Sequence, residues 1–156
     1  MKIRLITAQN KVPAWTNQAC ELYFRRLQAY CQFSLLEIPS SKRTKNLSVP
    51  ELQRIETARL LEKVSPAEYL IACHERGRRQ TSQQLAQSMQ KTQDTGQCIA
   101  IIIGGADGLD LNLLKQAKSL WSLSDFTFPQ HLARVVLIEQ LYRAFTLIHN
   151  HPYHRQ

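Results

Sequence analysis

The residue types best suited to chemistry lie in the second half of the chain. Ile101-Ile102-Ile103-Gly104-Gly105-Ala106-Asp107-Gly108 reads as a buried strand that breaks into three glycines within five residues. Such a turn takes positive φ angles and lets a ligand approach the backbone with no Cβ in the way. Open α/β sheets bind ligands outside the carboxyl ends of their strands. Gly104, Gly105 and Gly108 are therefore the first candidates for a cofactor site, with a plain tight turn as the alternative. There is no G-x-G-x-x-G and no Gly-Lys-Ser/Thr, so neither a dinucleotide site nor a P-loop is supported. A second candidate is Trp121 to Pro129. The backbone of Ser124, Asp125, Phe126, Thr127, Phe128 and Pro129 could offer amides and carbonyls to an adenine edge, with Leu123, Phe126 and Phe128 as apolar walls. An ordinary core strand is the competing reading.

Further along, Glu139 and Arg143 stand four apart, the orientation that favours an ion pair on a helix surface. The chain ends His151-Pro152-Tyr153-His154-Arg155-Gln156. Aromatic, imidazole and guanidinium groups at that density suit stacking on an unpaired base and gripping phosphate. A frayed polar tail is the alternative. A third polar segment, Pro39 through Asn46, carries Lys42, Arg43 and Lys45 just after a strand end.

The elements that must position these groups follow from periodicity and punctuation. Strands are expected at Lys2 to Thr7, Phe33 to Ile38, Tyr69 to Cys73, Gln97 to Ile103 and Ser124 to Phe128. Helices are expected from Trp15 to about Tyr30, Pro50 to Val64, Ser82 to Thr92 and Gln130 to Asn150, the last opened by Pro129. The unbroken β-branched run ending at Ile103 is how a strand buried on both faces of a parallel sheet reads, which makes it the expected centre. Strand and helix alternate throughout with no repeat or linker, so one α/β domain over residues 1–156 is expected, its mostly parallel sheet flanked by helices.

Bulk properties narrow the function. At 156 residues and 44% hydrophobic content the chain suits one compact core. Its apolar runs are far shorter than the roughly 20 residues that cross a bilayer. Met1 to Ala8 lacks the apolar stretch of a signal peptide, which reads as a mature cytoplasmic start. Cys20, Cys31, Cys73 and Cys98 form no C-x-x-C pair and are expected as reduced structural thiols. The late histidines have no partner to complete a metal set, so no metal is expected. The formal net charge is +8, and residues 1–79 hold 14 Lys/Arg against 7 Asp/Glu while residues 80–156 hold 6 against 5. That excess favours a polyanionic partner, because each neutralised phosphate releases counterions. A solvated basic surface is the alternative.

Taken together, Gly104-Gly105-x-x-Gly108, Trp121-Ser122-Leu123-Ser124, Glu139-x-x-Tyr142-Arg143-Ala144 and the terminal Asn150-His151-Pro152-Tyr153-His154-Arg155 resemble the RlmH family, as does the basic loop of Lys42-Arg43 and Lys45-Asn46. The resemblance runs the whole length of the chain in order. It implies a SPOUT α/β-knot, in which about residues 97–156 form a carboxyl-terminal trefoil knot. It also implies a homodimer in which one subunit's tail completes the other's site. The implied activity is methylation of N3 of a pseudouridine in helix 69 of large-subunit ribosomal RNA, on the assembled ribosome, with S-adenosyl-L-methionine as donor.

Carried over by position, the cofactor would be held by Cys73, Gly105 and the backbone from Ser124 to Pro129, with Gly104 and Gly108 shaping the turn. The family commonly has Leu-Asp where this chain has Cys73-His74. In-line transfer needs alignment above all, and loss of the N3 proton needs an acceptor. His154, or else Glu139, is the candidate acceptor. Arg143 and Arg155 would bind phosphate or stabilise charge on a base carbonyl, and Tyr153 would orient the base. Lys42, Arg43, Lys45, Arg76, Arg78 and Arg79 are candidate RNA contacts. A non-catalytic ribosomal-RNA-binding assembly factor is the alternative, and cofactor binding separates the two.

Overall fold

The computed structural model describes residues 1–44 and 46–154, the last by its backbone alone. Strand and helix alternate as β1 (Lys2–Ala8), α1 (Ala14–Leu27), β2 (Gln32–Ile38), α2 (Val49–Leu61), β3 (Tyr69–Arg79), α3 (Ser82–Asp94), β4 (Ile99–Ile103), α4 (Leu111–Gln116), β5 (Ser119–Ser122) and α5 (Gln130–Ile148). A 3₁₀ turn follows at Pro152–His154. The strands make one sheet in the order β2-β1-β4-β3-β5, and every pairing is parallel.

That order accounts for the layers. Successive crossovers step in opposite directions along the sheet, and a right-handed connection that reverses direction must cross the opposite face. Accordingly α1, α3 and α5 pack on one face over Ile3, Leu5, Ile71, Ile99 and Ile101. Helices α2 and α4 cover Ile6, Ala8, Leu70, Ala72, Ala100 and Ile102 on the other. All five residues of β4 are buried, and each fully buried isoleucine contributes about 1.5–3 kcal/mol. Helix starts are set by side chains. Ser48 with Glu51, and Thr81 with Gln84, form capping boxes for α2 and α3, and Asp110 caps α4.

The expected fold class and central strand are both present. The fifth strand is not where alternation put it: β5 is Ser119–Ser122, and residues 123–129 are loop. Local side-chain bonds end the strand, because Ser122 Oγ donates to the Ser124 carbonyl at 3.0 Å and Ser124 Oγ accepts from Phe126 N–H at 2.9 Å. Phe126 is consequently 81% exposed and is no core residue.

Strand β3 continues past Cys73 to Arg79. Its register slips so that both Cys73 and Arg78 stand opposite Trp121, bulging the intervening residues outward. Gly77 permits the return, since a Cβ there would sit 2.5–2.7 Å from the backbone of residues 120–122. Helix α4, too short to carry a periodic signal, was not expected. Helices α1, α2 and α5 stop short of Tyr30, Val64 and Asn150, and Asn150 takes a left-handed φ of 53° beyond the end of α5.

Candidate functional site

The carboxyl ends of β3, β4 and β5 open into a cleft of about 590 Å³. Its floor is Ile103 and Cys73, one wall is the glycine turn from Gly104 to Leu109, and the other is the loop from Leu123 to Phe128. Of the candidate cofactor residues, Cys73, Gly104, Gly105, Gly108, Ser124, Asp125, Phe126, Thr127 and Phe128 all line it. Pro129 stands just behind as the residue that opens α5, while Gln130 and Ala133 of that helix close the cleft. Size and mixed lining suit a nucleoside-sized ligand.

The glycines serve closeness more than unusual dihedrals. Only Gly108 has a positive φ, 76°, among the three. A Cβ on Gly104 would lie 2.9 Å from the Leu109 side chain, and one on Gly105 would collide with Glu56 Oε1. The turn closes with Gly108 N–H donating to the Gly105 carbonyl at 3.0 Å.

Burial pushes the Cys73 thiol up to about 12. It is therefore a neutral contact at neutral pH and not a thiolate nucleophile. His74 beside it accepts Arg76 N–H on Nδ1 at 3.1 Å, a local bond that turns the chain. At the mouth, Arg79 pairs with Asp125 and Arg43 pairs with Asp107 at 2.8 Å, with both arginines largely exposed.

A second constellation lies elsewhere on the same chain. Glu139 is nine residues along α5 from Gln130, roughly 13 Å at 1.5 Å per residue. Its Oε1 accepts from Arg143 Nε at 3.0 Å, Arg143 Nη2 at 2.7 Å and the Tyr153 hydroxyl at 3.0 Å, and its Oε2 accepts from Gln140 at 2.6 Å. Tyr153 packs 4.7 Å from Tyr142, centroid to centroid, with the Arg143 guanidinium 5.0 Å from the Tyr153 ring. Burial, followed by the bonds with Tyr23 and Glu139, pushes the Tyr153 phenol up, so its hydroxyl stays a donor. The hydrogen bonds that Arg143 donates to Glu139 hold its guanidinium above its usual range. Glu139, Arg143 and Tyr153, three of the five residues expected to meet the base or its phosphate, are thus assembled with each other and do not line the cleft of their own chain.

Of the basic residues, Lys42, Arg76 and Arg78 are exposed. Lys45 and Arg155 lie outside the described residues, as does the side chain of His154. Several groups that shape the cleft were not expected: Gln53, Glu56 and Thr57 of α2 and His74, Arg79 and Asp107. Spacing at i, i+3 and i+4 marks the α2 trio as one helical face, but nothing in the sequence says what that face meets.

Comparison with known proteins agrees with this architecture. A family model described as "Predicted SPOUT methyltransferase" matches residues 1–154. Ribosomal RNA large subunit methyltransferase H of Acinetobacter baumannii is 43% identical over 99% of both chains, and that of Nitrosococcus oceani is 41% identical over 99% of both. Among solved structures, a probable methyltransferase from Bordetella pertussis superposes with a TM-score of 0.57 at 16% identity, covering 92% of this chain and 96% of that one. The tRNA (m1G37) methyltransferase of Aquifex aeolicus does so at 0.56 and 14%, covering 92% and 70%. These two support the fold. Full-length similarity to the curated relatives goes further: this chain belongs to the SPOUT methyltransferases and, among them, to the RlmH family.

Proposed function

We propose that the protein is a cytoplasmic, homodimeric enzyme that methylates N3 of a pseudouridine in helix 69 of large-subunit ribosomal RNA on the assembled ribosome. The observation that carries this reading is 43% identity, over 99% of both chains, to a ribosomal RNA large subunit methyltransferase. The cleft supports it with a glycine wall, an apolar floor and a neutral thiol. S-adenosyl-L-methionine would supply an activated methyl on a sulfonium. Cys73, Gly104, Gly105, Gly108 and the loop from Ser124 to Pro129 would hold it.

The separation of the two constellations supports the homodimer that the family resemblance implies: residues on α5 and the tail that would meet the base do not line their own cleft, and a partner's tail would reach it instead. A trefoil knot spanning about residues 97–156 would hold the cofactor loop and α5 in that relation. The chemistry forms an N3–carbon bond, breaks the sulfur–carbon bond and sends the N3 proton to a base. Four donors already occupy the Glu139 carboxylate, so its role is to aim Arg143 and Tyr153, leaving His154 as the proton acceptor. Arg143 and Arg155 would stabilise charge on a base carbonyl or bind phosphate, Tyr153 would stack, and Lys42, Arg43 and Lys45 would grip the RNA backbone.

The test is transfer of labelled methyl from S-adenosylmethionine to ribosomes lacking this modification, with product nucleosides resolved by mass. Label in N3-methylpseudouridine is the expected result. Cofactor binding without label would move the target to another RNA. Failure to bind the cofactor would favour an assembly factor.

A further inference from the structure

Helix α2 approaches the cleft from beneath the glycine turn. Gln53 Nε2 donates to the carbonyls of Asp107 at 2.9 Å and Leu109 at 3.2 Å, and Thr57 Oγ1 accepts Asp110 N–H at 3.2 Å. Between them Glu56 is buried, with 8% of its surface exposed. Its Oε2 accepts Ser41 N–H at 3.2 Å, and its Oε1 fills the space where a Cβ on Gly105 would stand. One carboxylate therefore touches the basic loop on one side and the glycine turn on the other. Arg43 closes the same circuit from outside, through Asp107. Burying a carboxylate is costly unless its hydrogen bonds are worth the desolvation, and neither α2 nor the sheet needs an acid at this position for packing.

We propose that Glu56 is a positioning residue that locks the loop around Ser41 and the turn at Gly105 into one arrangement, so that the RNA-gripping loop and the methyl-donor site are set together. The inference rests on reading the cleft as the donor site. It adds that the loop cannot shift to follow RNA without moving the turn. Glu56 touches neither substrate and acts through the backbone of both segments.

The experiment compares wild-type protein with Glu56→Ala and Glu56→Gln. Backbone amide exchange at Ser41 and across residues 104–108 is followed alongside calorimetric titration with S-adenosylmethionine, and melting curves confirm folding. In Glu56→Ala both segments should exchange at least tenfold faster while α5 is unchanged. The donor Kd should rise at least tenfold, and KM for ribosomes should rise more than kcat falls. Glu56→Gln keeps one oxygen for Ser41 but sets an amide against Gly105, so exchange should quicken at 104–108 and stay slow at Ser41. Should Glu56→Ala not fold, the split response of Glu56→Gln decides alone. Acceleration of only one segment in Glu56→Ala, or wild-type exchange throughout Glu56→Gln, would overturn the proposal. Exchange needs no ligand, so a wild-type protein that fails to bind S-adenosylmethionine would refute the donor-site reading separately.

Discussion

The cleft and the α5–tail cluster are built on opposite principles. The cleft is made of backbone: glycines approached closely from below, a loop bent by serine hydroxyls, and a thiol kept neutral by burial. The tail cluster is made of long side chains, with Glu139 gathering Arg143 and Tyr153 against a layer of tyrosines. A backbone site holds one rigid ligand by shape. A side-chain site is suited to a flexible, charged polymer whose contacts are remade each time it binds.

The strongest challenge to that division is Arg143→Ala. Transfer to ribosomes should fall by about a hundredfold or more, the scale of losing a charge-stabilising donor, while the donor Kd stays within twofold. An equal loss in donor binding would mean that the two regions are one site within a single chain. Next in size is Gly77→Ala. Its Cβ would meet the backbone of β5, so the β3–β5 pairing should yield, costing about 1–3 kcal/mol in chemical denaturation and carrying donor binding down with it.

Alkaline pH tests the cleft floor. The Cys73 pKa is raised from 9.0 to about 12, so the neutral thiol is favoured in the folded state. That contribution is complete below pH 9 and is lost as pH climbs through 12. The predicted alkaline loss of stability should shrink in Cys73→Ala, and at pH 8 iodoacetamide should modify Cys73 more slowly in native than in unfolded protein. The smallest effect is expected at Arg79–Asp125, an exposed pair at the mouth. Arg79→Ala should change stability by less than about 0.5 kcal/mol, and any change in ribosome affinity should appear as a shallower salt dependence.

Legibility in the sequence followed the range of the interactions. β4 is continuous and apolar, so its central place could be read from its five residues. The glycine turn was legible because it follows a strand closely in sequence, whereas residues 124–128 were read as a strand and are loop. β5 itself was misplaced, because Phe126 and Phe128 mimic alternation while two serine hydroxyls curl the backbone away after Ser122. The α2 trio was invisible for a different reason: Gln53 and Thr57 meet partners more than fifty residues away, and no local pattern encodes such a meeting. Glu139 was legible as an ion-pair partner, but its saturation depends on Tyr153 folding back, which spacing alone does not reveal.

The central position of β4 also bears on how the chain acquires its shape. β1 is made long before β4, yet β4 is one of its two neighbours, with Ile3 opposite Ile99. β3 likewise waits for β4 to bridge it to the rest of the sheet. Until residue 103 has been synthesised the molecule is two unconnected fragments, a β1–β2 pair and a lone β3, each showing unpaired strand edges of the kind that recruit other chains. Dominance of such distant pairings slows folding. During synthesis the protein thus depends on late insertion of its most apolar segment, and a nascent chain stalled before that point is its most aggregation-prone form.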